Sequence, residues 1–162
     1  MEKIKIVDSF FLEKLSHEAD ISPRKRKNFN FHETSEDLMQ RMLNALHPET
    51  YIRPHKHENP DKREVFVLLA GEMALIIFDD YGKIQKIFHF DLKNIFVVEI
   101  PPSTWHTLVS LKENTVYYEI KDGPYLLDND KQFAPWSPEE SDTKAKKYLE
   151  GLKKELVMRI EQ

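Results

Sequence analysis

Three histidines and one glutamate have a spacing that could bind a metal ion. His55 and His57 are separated by one residue, so on a β-strand both imidazoles leave the same face while Lys56 points away. Glu64 opens the next apolar run of the sequence, and His106 begins a later one. Neutral imidazoles with one carboxylate suit Zn(II), Fe(II), Mn(II), Ni(II) or Co(II) and are a poor set for Ca(II). The pattern therefore predicts one divalent transition metal ion without choosing its identity.

Each of these residues also has a plainer explanation when it is taken alone. An isolated His-x-His pair is weak evidence for a metal. Glu64 could be a solvated charge at a strand edge, and His106 could be a half-buried histidine with an ordinary hydrogen-bond partner. The combination, with β-type runs on both sides, is much more specific and favours the metal site.

Polar residues near the N-terminus could bind a substrate beside this metal. Asn28, Asn30 and His32 alternate with Phe29 and Phe31, and this period of two places the three polar groups on one strand face. Their amide and imidazole groups suit sugar hydroxyls. The alternative is that the two amides only satisfy a strand edge or a hairpin.

Basic and aromatic residues supply further candidates for substrate contacts. The block at residues 24–27, which includes Arg26, could hold a phosphate or the diphosphate of a nucleotide sugar, or could be a solvated basic run. Arg53 could contact an anion or form a surface ion pair. Tyr125 could stack on a sugar ring or pack against its neighbours. We predict substrate contacts for these three residues, together with Asn28 and Asn30.

The run Thr115–Lys121 contains a candidate for proton transfer. On a strand, Tyr117, Glu119 and Lys121 share one face. If that face is inward, Glu119 is a candidate general acid or base near the metal, and if it is outward, Glu119 is an ordinary surface charge. We predict Glu119 and His32 as the catalytic groups.

Length and composition indicate one globular domain over residues 1–162. Hydrophobic residues make up 40% of the chain, with 10 Phe and 6 Tyr, which excludes wholesale disorder. A net charge of −4 gives no field that would attract nucleic acid or an anionic membrane. The absence of cysteine excludes disulfides, thiolate metal sites and a cysteine nucleophile.

The sequence gives no sign of membrane insertion or export. The most apolar stretch, residues 65–78, is interrupted by Gly71 and Glu72 and falls short of the ~20 apolar residues of a membrane span. The N-terminus has no apolar run or cleavage site typical of a signal peptide. We therefore expect a cytoplasmic protein whose ligand is a small molecule, with no nucleic-acid or membrane partner.

The elements that must position these residues are mainly strands. Residues 1–20 pattern as a short helix capped by Asp8 or Ser9, and residues 36–46 fit a helix face but lead into a strand. Residues 122–138 indicate an irregular arm, and residues 139–160 a terminal helix. Between residues 51 and 121, short β-type runs separated by turn residues predict an all-β sandwich or barrel: Glu64–Leu69, Met73–Phe78, Lys83–Phe90, Ile95–Ile100, Trp105–Leu111 and Thr115–Lys121.

Two segments resemble the paired motifs of the cupin superfamily. The first motif is matched by His55-x-His57, then Glu64, then Gly71, and the second by Pro101-x-Ser103-x-x-His106. Ser103 stands where the second motif usually has glycine, and the interval from His57 to Glu64 is longer than is common. The resemblance implies a double-stranded β-helix, a jelly-roll barrel over about residues 24–121, in which His55, His57, Glu64 and His106 bind the metal.

A narrower resemblance, to the WbuC family of cupin-fold metalloproteins, runs from about residue 20 to residue 140. Members of that family are often associated with bacterial surface-polysaccharide gene clusters, and the family brings no established reaction. The resemblance rests on five segments: Arg24-Lys-Arg-Lys-Asn28-x-Asn30-x-His32, Gln40-Arg41-x-Leu43-Asn44-Ala45-Leu46, Tyr51-x-Arg53-Pro54-His55-x-His57, Glu119-x-Lys121-x-Gly123-Pro124-Tyr125 and Phe133-Ala134-Pro135-Trp136-x-Pro138-Glu139.

Together these features predict a metal-binding cupin that acts on a sugar or nucleotide-sugar derivative in surface-polysaccharide biosynthesis. Three imidazoles and one carboxylate leave one or two metal positions for water or substrate, which suits an isomerase or epimerase, or an oxygenase if the metal is iron. One alternative is a non-catalytic cupin that binds or senses a saccharide around a structural metal. Another is an interaction module without a metal. The cupin resemblance also implies a homodimer.

Overall fold

Ten strands and two helices make up the part of the chain that the structure describes, residues 4–160. The structure is a computed structural model, and residues 1–3, at the start of the predicted first segment, and residues 161–162 lie outside the description. None of the described helices is both long and apolar enough to cross a bilayer. The elements in chain order are α1 (Ser9–Ile21), β1 (Arg26–Asn30), β2 (Met39–Leu46), β3 (His55–Lys56), β4 (Glu64–Ala70), β5 (Met73–Phe78), β6 (Ile84–Phe90), β7 (Val97–Ile100), β8 (His106–Ser110), β9 (Thr115–Asp122), β10 (Gln132–Phe133) and α2 (Ala145–Ile160).

The strands form two antiparallel sheets of five strands each. The strand order is β1-β2-β9-β4-β7 in the first sheet and β10-β3-β8-β5-β6 in the second. The sheets share a buried apolar core, to which Phe66 and Tyr117 contribute from the first sheet and Leu75, Phe90 and Leu108 from the second. This arrangement confirms the prediction of an all-β double-stranded β-helix.

Each sheet has one helix against its outer face. Leu15 and Ala19 of α1 pack on Leu43, Ala45 and Val116 of the first sheet, in the helical spacing that a buried stripe requires. The side chain of Asp8 accepts a hydrogen bond of 2.8 Å from the amide of Phe11 and caps this helix, as one of the two predicted caps. Helix α1 therefore covers the side of the sheet that faces away from the core.

Helix α2 covers the second sheet in the same way. Leu149, Leu152 and Leu156 pack with Ile76 and Val109 in a second buried cluster. The apolar stripe of this helix therefore packs on the sheet. The inner faces of both sheets are thereby left to the core and to the polar side chains that surround the predicted metal site.

Residues 39–46 of the ambiguous segment 36–46 form the strand β2, and residues 36–38 precede it outside any strand or helix. Their apolar residues also fit a helical period, which made the segment ambiguous in the sequence. In the structure, β2 pairs with β9 over its whole length and with β1 from Met42 to Leu46, so Leu43 and Ala45 face α1 while Asn44 lies opposite Tyr117. Pairing with two neighbours, and not local preference, decides the conformation.

The C-terminal helix is shorter than predicted. It begins at Ala145 and not at residue 139. Glu140, predicted in its first turn, instead forms ion pairs with Arg24 at 2.9 Å and Arg26 at 2.8 Å. The carboxylate of Asp142 accepts a hydrogen bond of 2.8 Å from the amide of Lys144, which is the pattern of a capping side chain. The segment at residues 122–138 is irregular as predicted, except for the short strand β10.

Gly71 turns the chain between β4 and β5. Its φ is +77°, a conformation that residues with a side chain rarely adopt. A Cβ atom placed there would lie 2.4 Å from Oγ1 of Thr115, so the site also lacks space for one. Glycine is therefore required at the hairpin that links the strand of Glu64 to the core of the second sheet.

Candidate metal centre

Four side chains from three separate places in the sequence meet between the two sheets. His55 lies on β3, His57 follows that strand, Glu64 is the first residue of β4 and His106 is the first residue of β8. One potential ligand atom from each side chain lies within 4.8 Å of all the others, and all four residues are buried. Pairing of His55 with His106 across β3 and β8 brings the first motif to the second. The structure thus brings together the four residues that the sequence predicts as metal ligands.

Hydrogen bonds to the backbone orient the three imidazoles. Nδ1 of His55 and Nδ1 of His106 each lie 2.9 Å from the carbonyl oxygen two residues earlier in the chain. Nδ1 of His57 contacts the carbonyl oxygen of Asp130. A carbonyl only accepts, so each Nδ1 must carry the proton, and each Nε2 then presents a lone pair. Donation of the second ring N–H to a carbonyl is the usual support for a histidine that binds a metal.

The lone pairs of the cluster face one another without a proton between them. Oε1 of Glu64 lies 3.1 Å from Nε2 of His57, and its Oε2 lies 3.1 Å from Nε2 of His106. Neither contact has the geometry of a hydrogen bond, and Nε2 of His57 and Oε2 of Glu64 have no hydrogen-bond partner among the described residues. Buried acceptor atoms at this separation repel each other unless a cation lies among them. The donor set therefore fits a metal ion.

Electrostatics favour an ionised Glu64 and a neutral His55. Burial by itself raises the pKa of Glu64, but His106 and His57, when they are protonated, outweigh it and hold that pKa well below its usual range. Burial lowers the pKa of His55 well below its usual value, and the positive charge of Lys131 adds to this effect. An ionised carboxylate and a neutral imidazole are the forms that coordinate metals.

A cavity of about 650 Å³ opens beside the cluster. His55, Glu64 and His106 form part of its wall. Glu119, on the same wall, faces inward and is buried. Nδ2 of Asn44 donates a hydrogen bond of 2.9 Å to Glu119, while burial and the charge of Glu64 raise the pKa of Glu119. This carboxyl group therefore resists ionisation more than an exposed glutamate does.

The asparagines of β1 lie at the rim of this cavity. Both Asn28 and Asn30 line it, and Nδ2 of Asn28 donates to Oδ1 of Asn30 at 2.8 Å. His32 also lines the cavity but does not share their strand, because β1 ends at Asn30. Nδ1 of His32 lies 3.1 Å from the amide nitrogen of Arg41, which fixes its ring in the loop after β1. The predicted strand face therefore holds two of the three polar groups.

The predicted anion-binding arginines have partners within the protein. Arg26 lines the cavity, but its guanidinium bonds to Glu140 and, at 2.8 Å, to the carbonyl oxygen of Tyr51. Arg53 is absent from the described cavity wall. Its guanidinium donates to the carbonyl oxygen of Ala134 at 3.2 Å and lies over the ring of Phe133.

Tyr125 does line the cavity, at a point next to a buried lysine. Its ring centroid is 5.8 Å from Nζ of Lys121. Tyr125 keeps more than a third of its surface exposed, so its ring is open to a ligand. Of the predicted substrate contacts, Asn28, Asn30, Arg26 and Tyr125 thus border one space and Arg53 does not.

Sequence reasoning missed a buried ionic cluster next to the histidines. Asp130, from the irregular arm, binds Nζ of Lys62 at 2.7 Å and Nζ of Lys121 at 2.6 Å. Its backbone carbonyl also contacts His57, so the same residue supports the predicted metal site. Nothing in the local pattern of the arm marks Asp130, and only the alternation along β9 indicated that Lys121 shares a face with Glu119.

The backbone at Ser103 explains why the second cupin motif usually has glycine at this position. Ser103 has a φ of +60°, in the left-handed region that glycine enters most easily. Its amide donates a hydrogen bond of 2.9 Å to the carbonyl oxygen of His57, which ties the second motif to the first. The serine keeps the turn that the motif requires.

Comparisons with known proteins identify the fold. The sequence matches the family described as Domain of unknown function (DUF6016) over residues 7–90, and no curated protein matches it. A protein with a double-stranded β-helix domain from Klebsiella pneumoniae has a TM-score of 0.56 at 13% identity, with 82% of this chain and 98% of that one covered. A cupin 2 domain-containing protein from Halorhodospira halophila has a TM-score of 0.50 at 14% identity, with 83% and 81% covered.

A third similar structure is that of a sugar enzyme. L-ribose isomerase from Acinetobacter sp. DL28, in complex with L-ribose, has a TM-score of 0.54 at 12% identity, with 67% of this chain and 70% of that one covered. At these identities the similarity concerns the fold alone. The fold is that of the cupin superfamily, and the narrower resemblance to the WbuC family stays a prediction.

Proposed function

The chain belongs to the family described as Domain of unknown function (DUF6016), and we propose that this cupin binds one divalent transition metal and acts on a sugar or sugar derivative. His55, His57, Glu64 and His106 are the proposed ligands. The observation that supports this most directly is the convergence of unpartnered acceptor atoms on one buried point, with every Nδ1 proton directed away from it. Zn, Fe, Mn, Ni and Co are all compatible with this set.

The remaining cavity residues would bind the sugar and move its protons. A bound divalent ion would supply Lewis-acid polarisation of a sugar oxygen. Asn28, Asn30 and Asn44 offer amide groups for hydroxyls, and Glu119 can hold or accept a proton because its pKa is raised. His32 is a second candidate for proton transfer at the rim.

Isomerisation or epimerisation is the reaction class we favour. Aldose–ketose isomerisation moves a proton between neighbouring carbons of one substrate, which a single buried carboxyl group can do. Epimerisation returns the proton to the opposite face of the same carbon and would need a second group, for which His32 is the candidate. The similarity in fold to L-ribose isomerase supports a sugar as the ligand class. Oxygenation would require iron as the metal.

We also propose a role in surface-polysaccharide biosynthesis, which the resemblance to the WbuC family supports, and a cytoplasmic location. The net charge of −4 supports the absence of nucleic-acid and anionic-membrane partners. A homodimer follows from the cupin resemblance, and light scattering on the purified protein would test it. The unpaired edge of β1 is a place where a second copy could add to the first sheet.

Elemental analysis tests the metal directly. Protein purified without immobilised nickel should contain about one equivalent of a transition metal. The variant His55→Ala should lose most of this metal, because removal of any one of four ligands weakens such a site strongly. The control His17→Ala, on the exposed side of α1, should retain it. Wild-type protein that stays metal-free after incubation with all five ions would refute the proposal.

Sugar conversion separates an enzyme from a binding module. Metal-loaded protein is incubated with L-ribose and other aldoses, and the products are followed by NMR spectroscopy. Glu119→Gln, which keeps the side-chain shape and an acceptor for Asn44, should abolish conversion while it retains metal and sugar binding. Binding without conversion in the wild type, with any of the five metals, would favour the non-catalytic saccharide-binding alternative.

A further inference from the structure

Two buried lysines share a single carboxylate beside the cavity. Lys62, Lys121 and Asp130 are 2%, 4% and 3% exposed. Nζ of Lys62 donates to Oδ1 of Asp130, and Nζ of Lys121 donates to its Oδ2. One negative charge thus serves two positive charges in a region from which water is largely excluded. Burial of an unbalanced charge is costly, and Glu119 and Glu64 also act on Lys121, so the balance has to be taken over all the charged groups at this end of the cavity.

Lys121 has donor capacity left for a ligand. An ammonium group carries three N–H donors, and among the described residues Nζ of Lys121 makes one hydrogen bond, to Asp130. Lys62, in contrast, also donates to the carbonyl oxygen of Pro124. Lys121 lines the cavity and Lys62 does not. The unused donors of Lys121 are therefore available where a ligand would lie.

Lys131 adds a third positive charge at the same end. It follows Asp130 in the chain, lines the cavity and forms no ion pair with any of residues 4–160. With a divalent ion bound, three lysines and two metal charges face the carboxylates of Asp130, Glu64 and Glu119. The sum at this end of the cavity is positive even if all three carboxylates are ionised.

We propose that the sugar bound in this cavity is anionic, with its carboxylate or phosphate held by Lys121 and Lys131. This inference rests on the proposed function, since the metal contributes to the positive charge. The asparagines at the rim bind the hydroxyls, and the anionic group lies at the lysine end. A neutral sugar of the same size would leave the positive charge at that end of the cavity without a counter-charge.

The test compares three sugars of one ring type on the metal-loaded protein. D-glucose, D-glucuronate and glucose 6-phosphate are titrated by calorimetry at low ionic strength. At least one of the two anions should bind about tenfold more tightly than glucose, the gain expected from one charge-assisted hydrogen bond. The better of the two anions identifies the group as carboxylate or phosphate.

Lysine variants locate the anion. Lys131→Gln, at an exposed position, should reduce the preference for the anion by several fold and leave glucose binding unchanged. Lys121→Gln should reduce the preference for the anion in the same way. This variant should still fold, because Asp130 keeps Lys62 as a partner, and thermal melting checks this. Lys147→Gln, on the exposed part of α2, is the matched control and should bind all three sugars like the wild type.

The outcomes separate the two proposals. Loss of metal from the wild type would refute the metal-dependent function. If the protein retains its metal but binds glucose as tightly as both anions, the proposal of an anionic sugar is overturned. The same holds if the metal-loaded protein binds none of the three sugars. An unchanged preference in Lys131→Gln would overturn it as well.

Discussion

The substitution His106→Ala should remove most of the stability that this protein gains when it binds a metal ion. His106 is 2% exposed and begins β8, with its Nε2 atom 3.1 Å from Glu64 at the start of β4. A bound ion would join these strands to β3, which carries His55. Because the ion binds the folded chain and not the unfolded one, it stabilises the fold by mass action.

The size of this effect can be worked out for a chosen metal concentration. At a free concentration of about 100 times Kd, the stabilisation is about 2.7 kcal/mol. A domain of this size shifts its melting temperature by about 2–4 °C per kcal/mol, so the wild type should gain about 5–11 °C. If loss of one ligand weakens binding about 100-fold, the same concentration gives His106→Ala only about 0.4 kcal/mol, or about 1–2 °C.

The assay is thermal unfolding followed by circular dichroism. Each protein is first treated with a chelator and then melted with and without Zn(II) at one fixed free concentration. Each variant is compared with its own metal-free form, so the packing cost of the lost imidazole cancels. His17→Ala should keep the full wild-type gain. An equal gain in His106→Ala would show that the ion stabilises the protein elsewhere and would refute the assignment of this residue.

The described contacts also predict the effects of pH, of substitutions at two glycines and of a substitution in α2. The metal-free protein should lose stability as pH falls below about 6.5, because burial holds the pKa of His55 below its unfolded value and unfolding then takes up a proton. Gly71→Ala should cost about 2–5 kcal/mol, because φ is +77° and the new Cβ would meet Thr115. Gly151→Ala, in α2 with open space around it, should instead stabilise the fold by about 0.5–1 kcal/mol. Leu149→Ala should cost about 2–5 kcal/mol by opening a void between α2 and the second sheet.

Chemical denaturation measures these changes, with a control for each. The acid-dependent loss should be smaller in His55→Gln, and a loss of the same size there would assign it to other groups. Gly71→Ala with wild-type stability would mean that the turn relaxes without strain. Val157, on the same helix as Leu149 but 55% exposed, should tolerate alanine within about 0.5 kcal/mol. Equal costs at the two positions would contradict the packing of α2 on the sheet.

The proposed ligand set was within reach of the sequence because it depends on local spacing. His55 and His57 stand at alternate positions, and Glu64 and His106 each open a β-type run, so strand geometry places each side chain at the start or end of a strand. The alternation along β9 likewise placed Glu119 and Lys121 together on one face, and the structure shows that this face is inward. Residue type and a period of two were sufficient for these predictions.

The surroundings of the site were out of reach because they depend on distant partners. Glu140 was predicted as the start of a helix, yet it neutralises Arg24 and Arg26 across more than a hundred residues of sequence. Asp130 was part of an arm without pattern, yet it joins Lys62 to Lys121 and supports His57. No local rule relates such residues, since ion pairs form between whichever groups the packed sheets bring together.

The sequence by itself determined the strand-rich fold, the residue types of the proposed ligands and the strand faces on which they lie, because hydrophobic periodicity and residue chemistry are local properties. The tertiary structure alone decided that residues 39–46 are a strand, that His32 lies outside the strand of the asparagines, and that Arg53 does not line the cavity. It also decided which charges are balanced and which remain for a ligand. Burial and long-range pairing set those outcomes, and both exist only once the two sheets have closed on each other.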